Sequence, residues 1–209
     1  MPESLVVIGS GYIALELGQL FRNLGSRVTL TQRSPRLLKH HDPAVGEVME
    51  RILADEGIDV ITGARFERVE RVHGGMRVHL VVEGRHRAVE GDALLVATGR
   101  RPNTEELGLD AAGVALGPSG EVRVDETLQT TAPHIYAAGD VILGPQFFYV
   151  AAYQGGLAAV NALDGARHPA DLRVVPSVVF THPAVASVGL TEPAAEEAGH
   201  RVTTSVLPL

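Results

Sequence analysis

The chain has 209 residues, room for one large domain or two small ones, and its 45 % hydrophobic and 21 % charged content suits a buried core and excludes a disordered tail. Twenty-five Asp plus Glu outweigh eighteen Lys plus Arg for a net charge of −7, which argues against nucleic-acid binding through basic patches. No apolar run approaches the ~18–20 residues of a membrane span.

The opening Met1-Pro2-Glu3-Ser4 lacks the basic and apolar regions of a signal peptide, so the expected compartment is the cytoplasm, with no membrane and no nucleic acid among the partners. Cysteine is absent, which removes disulfides, thiolate nucleophiles and Cys-ligated metals from this chain. Lys39 is the only lysine, and the arginine excess reads as coding bias. A buried-looking strand with almost no lead-in and the apolar close Val206-Leu207-Pro208-Leu209 read as a piece of a longer protein.

Leu5-Val6-Val7-Ile8 is a short apolar run ending at Gly9, the pattern of a buried parallel strand. Ile13, Leu17, Leu20, Phe21 and Leu24 then recur at helical spacing until Gly25. Arg27-Val28-Thr29-Leu30-Thr31 completes a βαβ unit. A second helix is predicted over 43–56, with Asp42 as N-cap and Pro43 in the first turn, followed by a strand at Ile58-Asp59-Val60-Ile61. Over 65–90 three stretches alternate with a period of two, separated by glycine turns, and predict an antiparallel meander. Ala93-Leu94-Leu95-Val96-Ala97 returns to a buried strand, and the irregular stretch beyond Pro102 marks a domain boundary. Ile135-Tyr136-Ala137-Ala138 predicts a further strand, 148–163 a helix, 176–190 two strands, and Thr191 the cap of a short helix closed by Gly199.

Gly9-Ser10-Gly11-Tyr12-Ile13-Ala14 lies between strand and helix, where a dinucleotide motif has to lie. Gly9 permits a tight turn, Gly11 lets the backbone approach a pyrophosphate, and Ala14 lets helix and strand pack closely. The helix N-terminus supplies N–H groups to the anion. An NAD site carries Asp or Glu about 20 residues further on for the ribose 2′-hydroxyl. Gln32 stands there instead, followed by Arg33 and Arg36, a pattern that favours the extra phosphate of NADPH. Either arginine could otherwise serve only to solvate a surface loop. The histidines offer no metal-ligand spacing, since His40-His41 are adjacent and His73, His79 and His86 fall on the meander, so no metal site is predicted. No GxSxG elbow is present.

Ala97-Thr98-Gly99-Arg100-Arg101-Pro102-Asn103 resembles a segment of the pyridine nucleotide–disulfide oxidoreductases. Thr131-Ala132-Pro133-His134-Ile135-Tyr136-Ala137-Ala138-Gly139-Asp140 resembles their second flavin motif. Val175-Pro176-Ser177-Val178-Val179-Phe180-Thr181-His182-Pro183 resembles the opening of their dimer-interface domain. Within the family, Pro145-Gln146-Phe147-Phe148-Tyr149-Val150-Ala151-Ala152 is similar to mercuric reductases, whereas Gly11-Tyr12-Ile13-Ala14-Leu15-Glu16 is more similar to glutathione reductase.

The resemblance implies an α/β architecture: a three-layer ββα, Rossmann-like NADPH-binding domain over 1–115, the C-terminal part of an FAD-binding domain over 116–171, and the start of an α+β interface domain over 172–209. It implies FAD and NADPH as cofactors and a homodimer for the intact enzyme. Asp140 would accept hydrogen bonds from the flavin ribityl hydroxyls, or else be a turn Asp. Phe147, Phe148 and Tyr149 would open a helix whose N–H groups face the flavin ring; on the residues alone, Phe147-Phe148 is expected to be core. Gly99 would let the backbone approach the cofactor. Tyr12 resembles the tyrosine that covers the flavin until nicotinamide displaces it, and Glu16 the carboxylate that seats the nicotinamide; both could otherwise be packing and surface residues. The family's redox cysteine pair has no counterpart here, so no catalytic residue is assigned, and the chain is expected to be inactive alone. Mercuric reductase is the leading expectation, with dihydrolipoyl dehydrogenase, glutathione reductase and a non-catalytic nucleotide-binding module as alternatives.

Overall fold

Strand β1 (Ser4–Ile8) has a core on each face, and the architecture is built outward from it. It leads through helix α1 (Tyr12–Asn23) to β2 (Arg27–Thr31), and through α2 (Pro43–Asp55) to β3 (Asp59–Ile61). The meander follows as β4 (Arg65–Val72), β5 (Gly75–Val82) and β6 (Arg85–Gly91), and β7 (Ala93–Val96) returns to the first sheet. That sheet is parallel with order β3-β2-β1-β7, and the meander forms a separate antiparallel sheet. This computed structural model describes residues 1–207; Pro208 and Leu209, which close the apolar terminus noted above, lie outside the described residues.

Alternation along β1 explains the three layers. Leu5 and Val7 join Ala14, Leu15, Leu30, Met49 and Leu53 in a core with the helices. Val6 and Ile8 point the other way, into a second core with Ile61, Val78 and Leu80. All four apolar residues of β1 are therefore buried, which is why the strand reads as a continuous apolar run rather than an alternating one. Each such side chain contributes about 1.5–3 kcal/mol by leaving water.

Two compact units are present: Met1–Gly99 together with Pro176–Leu209, and Arg100–Val175. In the first, β8 (Ser177–Val179) and β9 (Val185–Ser187) form a small antiparallel ladder, and α4 (Glu192–Glu197) follows. Val179 is fully buried in the helix-side core. The buried Gln19 of α1 donates to the His182 carbonyl at 2.8 Å and accepts from its N–H at 2.6 Å, which ties this segment to α1. Thr191 caps α4 as predicted, its side chain accepting from the Ala194 N–H. Asp42 occupies the cap position of α2 but makes no side-chain cap bond; its Oδ1 accepts from the Glu192 N–H at 3.0 Å instead, so a tertiary contact has replaced the local one.

The second unit holds a core of Val114, Val122, Leu128, Ala132 and Ile142 packed by α3 (Phe148–Asp164), with a 3₁₀ turn at Gly139–Val141. The strand predicted at residues 135–138 does not form. Its backbone pairs one residue at a time, Gln129 with Tyr136 in an isolated bridge and the Thr130 N–H to the Ile135 carbonyl, so no ladder extends. No helix among the described residues is long and apolar enough to cross a membrane.

Two substitutions test these packing claims. Gly9 has φ +131°, and a Cβ there would collide with the Ala97 carbonyl, so Gly9→Ala is expected to cost about 3 kcal/mol or more in urea unfolding. Asn161 is fully buried, donates to the Thr127 and His168 carbonyls at 2.8 Å each and accepts from the His168 N–H at 2.9 Å. Asn161→Ala orphans those groups and should cost about 2–4 kcal/mol by the same measurement.

Candidate functional site

The first unit's parallel strands direct their C-terminal ends to one edge, and β1 continues there through Gly9-Ser10-Gly11 into α1. The Gly9 N–H donates to the Thr31 carbonyl at 2.9 Å, and the Ala97 N–H to the Ile8 carbonyl at 2.8 Å, so the three strand ends are closely tied. Gly11 is the N-cap of α1 with an ordinary φ of −81°. Its need for glycine is therefore not conformational. A Cβ built there meets nothing within 4 Å. No described side chain caps α1 and its first turn carries no acid, so the N-terminus keeps its partial positive charge, about half an elementary charge. Ala14 is fully buried against the strand layer, while Ile13 is half exposed. These features leave the first amides of α1 open and uncapped.

At the end of β2, Gln32 turns inward on its own backbone: its Oε1 accepts from the Arg33 N–H at 2.9 Å and its carbonyl from the Ala64 N–H at 2.8 Å. The Arg33 side chain is exposed and makes no hydrogen bond or ion pair with any described residue. Arg36 is half-buried and donates from Nη2 to the Lys39 carbonyl at 3.0 Å, so its guanidinium is partly committed. The two arginines are not equivalent, and Arg33 is the one with donors available.

Tyr12, the first residue of α1, is half-buried, and its hydroxyl lies 3.1 Å from both His41 Nε2 and Ser177 Oγ. Glu16 accepts from the Phe180 N–H through Oε1 at 2.8 Å, leaving Oε2 without a partner among the described residues. His41, whose sequence spacing speaks only against metal ligation, is brought by the fold to the Tyr12 hydroxyl. It is buried, and that burial pushes its pKa below the ordinary value, with Asp42 opposing the shift and His40 adding to it. The local signal for it is weak: a histidine just before a helix cap whose partner is 29 residues away.

Gly99, at the end of the first unit, has φ +124° and open space at its Cβ position. In the second unit Asp140 sits in the 3₁₀ turn, its Oδ2 paired with Arg100 Nη1 at 2.5 Å and its Oδ1 without a described partner. Helix α3 begins after Phe147 with no side-chain cap. Phe147 stacks on Tyr149 with centroids 5.2 Å apart, and Phe148 meets Tyr149 edge-on at 5.4 Å. The expectation that the phenylalanine pair is core fails for Phe148, which is 86 % exposed. Only Phe147 is partly covered, because α3 turns a different face to its core.

Residues 1–155 match the family model described as pyridine nucleotide-disulphide oxidoreductase, and residues 175–209 match that family's dimerisation domain. The chain belongs to this family. It is 55 % identical over 209 residues to the mercuric reductase of Lysinibacillus sphaericus, covering all of this chain and 38 % of that protein. It is 54 % identical to that of Bacillus cereus, again over the whole chain but only 33 % of the relative. The chain thus spans a third to two-fifths of the length of these relatives. Among solved structures, the HOCl-induced flavoprotein disulfide reductase RclA from Escherichia coli superposes with a TM-score of 0.82 at 34 % identity, covering 95 % of this chain and 45 % of that one.

The depressed pKa of His41 makes a stability prediction. The unfolded chain binds a proton near the ordinary value of 6.5, the folded chain only below it. Stability from this group is therefore complete above pH 6.5 and is lost as pH falls toward the lower folded value. Urea midpoints measured from pH 8 to pH 5 are expected to fall less in His41→Gln than in the parent.

Proposed function

We propose that this chain is the NADPH-binding half, with part of the flavin contact surface, of a flavoprotein reductase that acts on mercuric ion. The observation that carries it is the cradle before α1: a glycine whose Cβ position is open, an uncapped helix N-terminus, and Arg33 with free donors at the end of β2. Whole-chain identity of 54–55 % to proteins named mercuric reductase supports the substrate.

The residues present suit a pyridine dinucleotide. The pyrophosphate would rest on the amides that follow Gly9 and Gly11, with Ile13 and Ala14 in the same turn. Arg33 would bind a ribose 2′-phosphate through charge-assisted hydrogen bonds, with Arg36 as a second, weaker contact. A carboxylate in the place of Gln32 would repel that phosphate. Tyr12 would cover the flavin until the nicotinamide displaces it, and Glu16 would help to seat the nicotinamide.

They also suit part of an FAD site. The free Oδ1 of Asp140 can accept from ribityl hydroxyls, and the amides opening α3 at Phe147, Phe148 and Tyr149 place positive charge where a reduced flavin carries negative charge. Gly99 offers backbone that a cofactor can approach. When bound, the reduced nicotinamide is a hydride donor and the flavin its acceptor. This chain's own part is to bind, orient and set charge, since without cysteine it provides no dithiol.

The domain assignment follows: residues 1–115 for the nucleotide, 116–171 for the flavin, and 172–209 for a homodimer interface. The last rests on the dimerisation-domain match. A reductase that draws on the soluble NADPH pool belongs in the cytoplasm.

Replacing Arg33 with Glu in the intact, flavin-loaded enzyme tests the reading. Losing a charge-assisted contact should weaken NADPH binding about 10- to 100-fold and shift preference toward NADH. Titration calorimetry with both coenzymes reads the change, and an unaltered preference refutes the assignment.

A further inference from the structure

Tyr12 is held by its hydroxyl, and the groups that hold it come from distant parts of the first unit. Its Oη lies 3.1 Å from Nε2 of His41, and it donates to Oγ of Ser177, also at 3.1 Å. Ser177 Oγ in turn lies 2.8 Å from Ser187 Oγ across the β8–β9 ladder. The sequence separations are 29 residues to His41 and 165 to Ser177, so folding brings both partners to one atom.

Both partners are themselves anchored. The His41 N–H donates to the Leu38 carbonyl at 2.8 Å, and the Leu38 N–H to the Ser10 carbonyl within the glycine turn. Ser177 is fixed by strand pairing with Ser187, and its segment is fastened to α1 through Glu16 and Gln19. His41 is only 8 % exposed and Ser177 9 %, so neither can exchange the phenol for bulk water without rearrangement.

The chain of hydrogen bonds closes in either tautomer of a neutral imidazole. With the proton on Nε2, His41 donates to Tyr12, Tyr12 to Ser177, and Ser177 to Ser187. With the proton on Nδ1 every direction reverses, and the same groups remain satisfied. A tyrosine that merely filled space on the helix face would need no such arrangement.

We propose that His41 and Ser177 are positioning residues that latch Tyr12 in its resting orientation, so that a nucleotide entering the cradle must break both bonds to move the ring. This rests on the reading of Tyr12 as the residue that nicotinamide displaces. Displacement leaves a buried imidazole and a buried hydroxyl short of a partner, and the apparent affinity for nucleotide is lowered by the fraction of chains that remain latched.

The test uses the intact, flavin-loaded enzyme and equilibrium binding of NADP⁺, a readout independent of turnover. Tyr12→Phe keeps the ring and removes the latch, and His41→Leu and Ser177→Ala remove one bond each. Each is expected to tighten NADP⁺ binding about three- to tenfold by calorimetry. In His41→Leu and Ser177→Ala the apparent KM for NADPH should fall by the same factor, with the limiting rate of flavin reduction unchanged. His41→Gln, which retains a hydrogen-bonding side chain, should stay near the parent value. Parent-like or weaker binding in Tyr12→Phe and Ser177→Ala, both small changes that conserve the packing, overturns the latch. Tyr12→Ala separates the two ideas. If it alters nucleotide binding while Tyr12→Phe does not, only the latch fails; if it leaves binding and flavin reduction untouched, the underlying reading of Tyr12 fails as well.

Discussion

The close approach of Gly9 to the Ala97 carbonyl is the constraint on which the candidate site depends. β1 lies between β2 and β7, and its exit must turn at once, because the neighbouring chain leaves no volume for a side chain. That turn sets where α1 starts. The same residue's N–H is taken by Thr31, and the Thr31 hydroxyl donates back to the Val7 carbonyl at 2.9 Å. The ends of β1 and β2 are thereby locked from both sides, and the helix that follows can present its first amides to one defined place. In open parallel sheets the crevice beyond the strand ends, where the strand order reverses, is where ligands bind. Here the chain passes from β1 toward β2 on one side and later to β7 on the other, so that crevice lies at Gly9.

Net charge and local charge point in opposite directions. The chain carries −7 overall, yet α1 has an uncapped N-terminus and Arg33, at the end of β2, has a guanidinium without a partner among the described residues. Long-range steering of the proposed anionic ligand would be weak in such a field, and its recognition would rely on short charge-assisted bonds within a Debye length of about 8–10 Å. Glu16 lies only one helical turn from the helix start, and it stays compatible with an anion site because one of its oxygens is spent on the Phe180 N–H. The acidic excess resides elsewhere. On the meander, where arginines outnumber carboxylates, Glu70 is held below the usual carboxylate range first by its hydrogen bond to His79 and then by Arg68 and Arg77.

What the sequence disclosed well was whatever depends on neighbours a few residues away. The run at β1, the glycines after it, the helical spacing of α1 and the alternation of the meander all correspond to elements that form where expected. The glycine turn and the uncapped start of α1 at the candidate site were legible for the same reason, since they form a contiguous stretch. Contacts across the fold were not legible. Asp42 has the residue type and position of a helix cap, but the Glu192 N–H, 150 residues away, takes its carboxylate. His41 carried no local mark of its bond to Tyr12. The failed strand at 135–138 has the right composition, but a strand is defined by its partner, and only Gln129 pairs there as an isolated bridge.

Helix α3 shows why an element can be legible while its orientation is not. Its 17 residues are plainly helical, yet the face it buries carries two amides, Gln154 and Asn161, seven positions apart, beside Val150 and Leu157. Gln154 accepts from the Gly139 N–H at 2.8 Å, and Asn161 bridges Thr127 and His168. These amides satisfy backbone groups of loops that lack regular ladders of their own. Phe148 and Leu163, at 86 % and 88 % exposed, occupy the opposite side. Val150, Leu157 and Ala158 share the buried side with these amides, so apolar residues stand on both sides of the helix and Phe148 falls on the side that the core does not use. The two amides belong on that side because an unpaired buried backbone group costs about 1–3 kcal/mol, and between them they pair the Gly139 N–H and the Thr127 and His168 carbonyls.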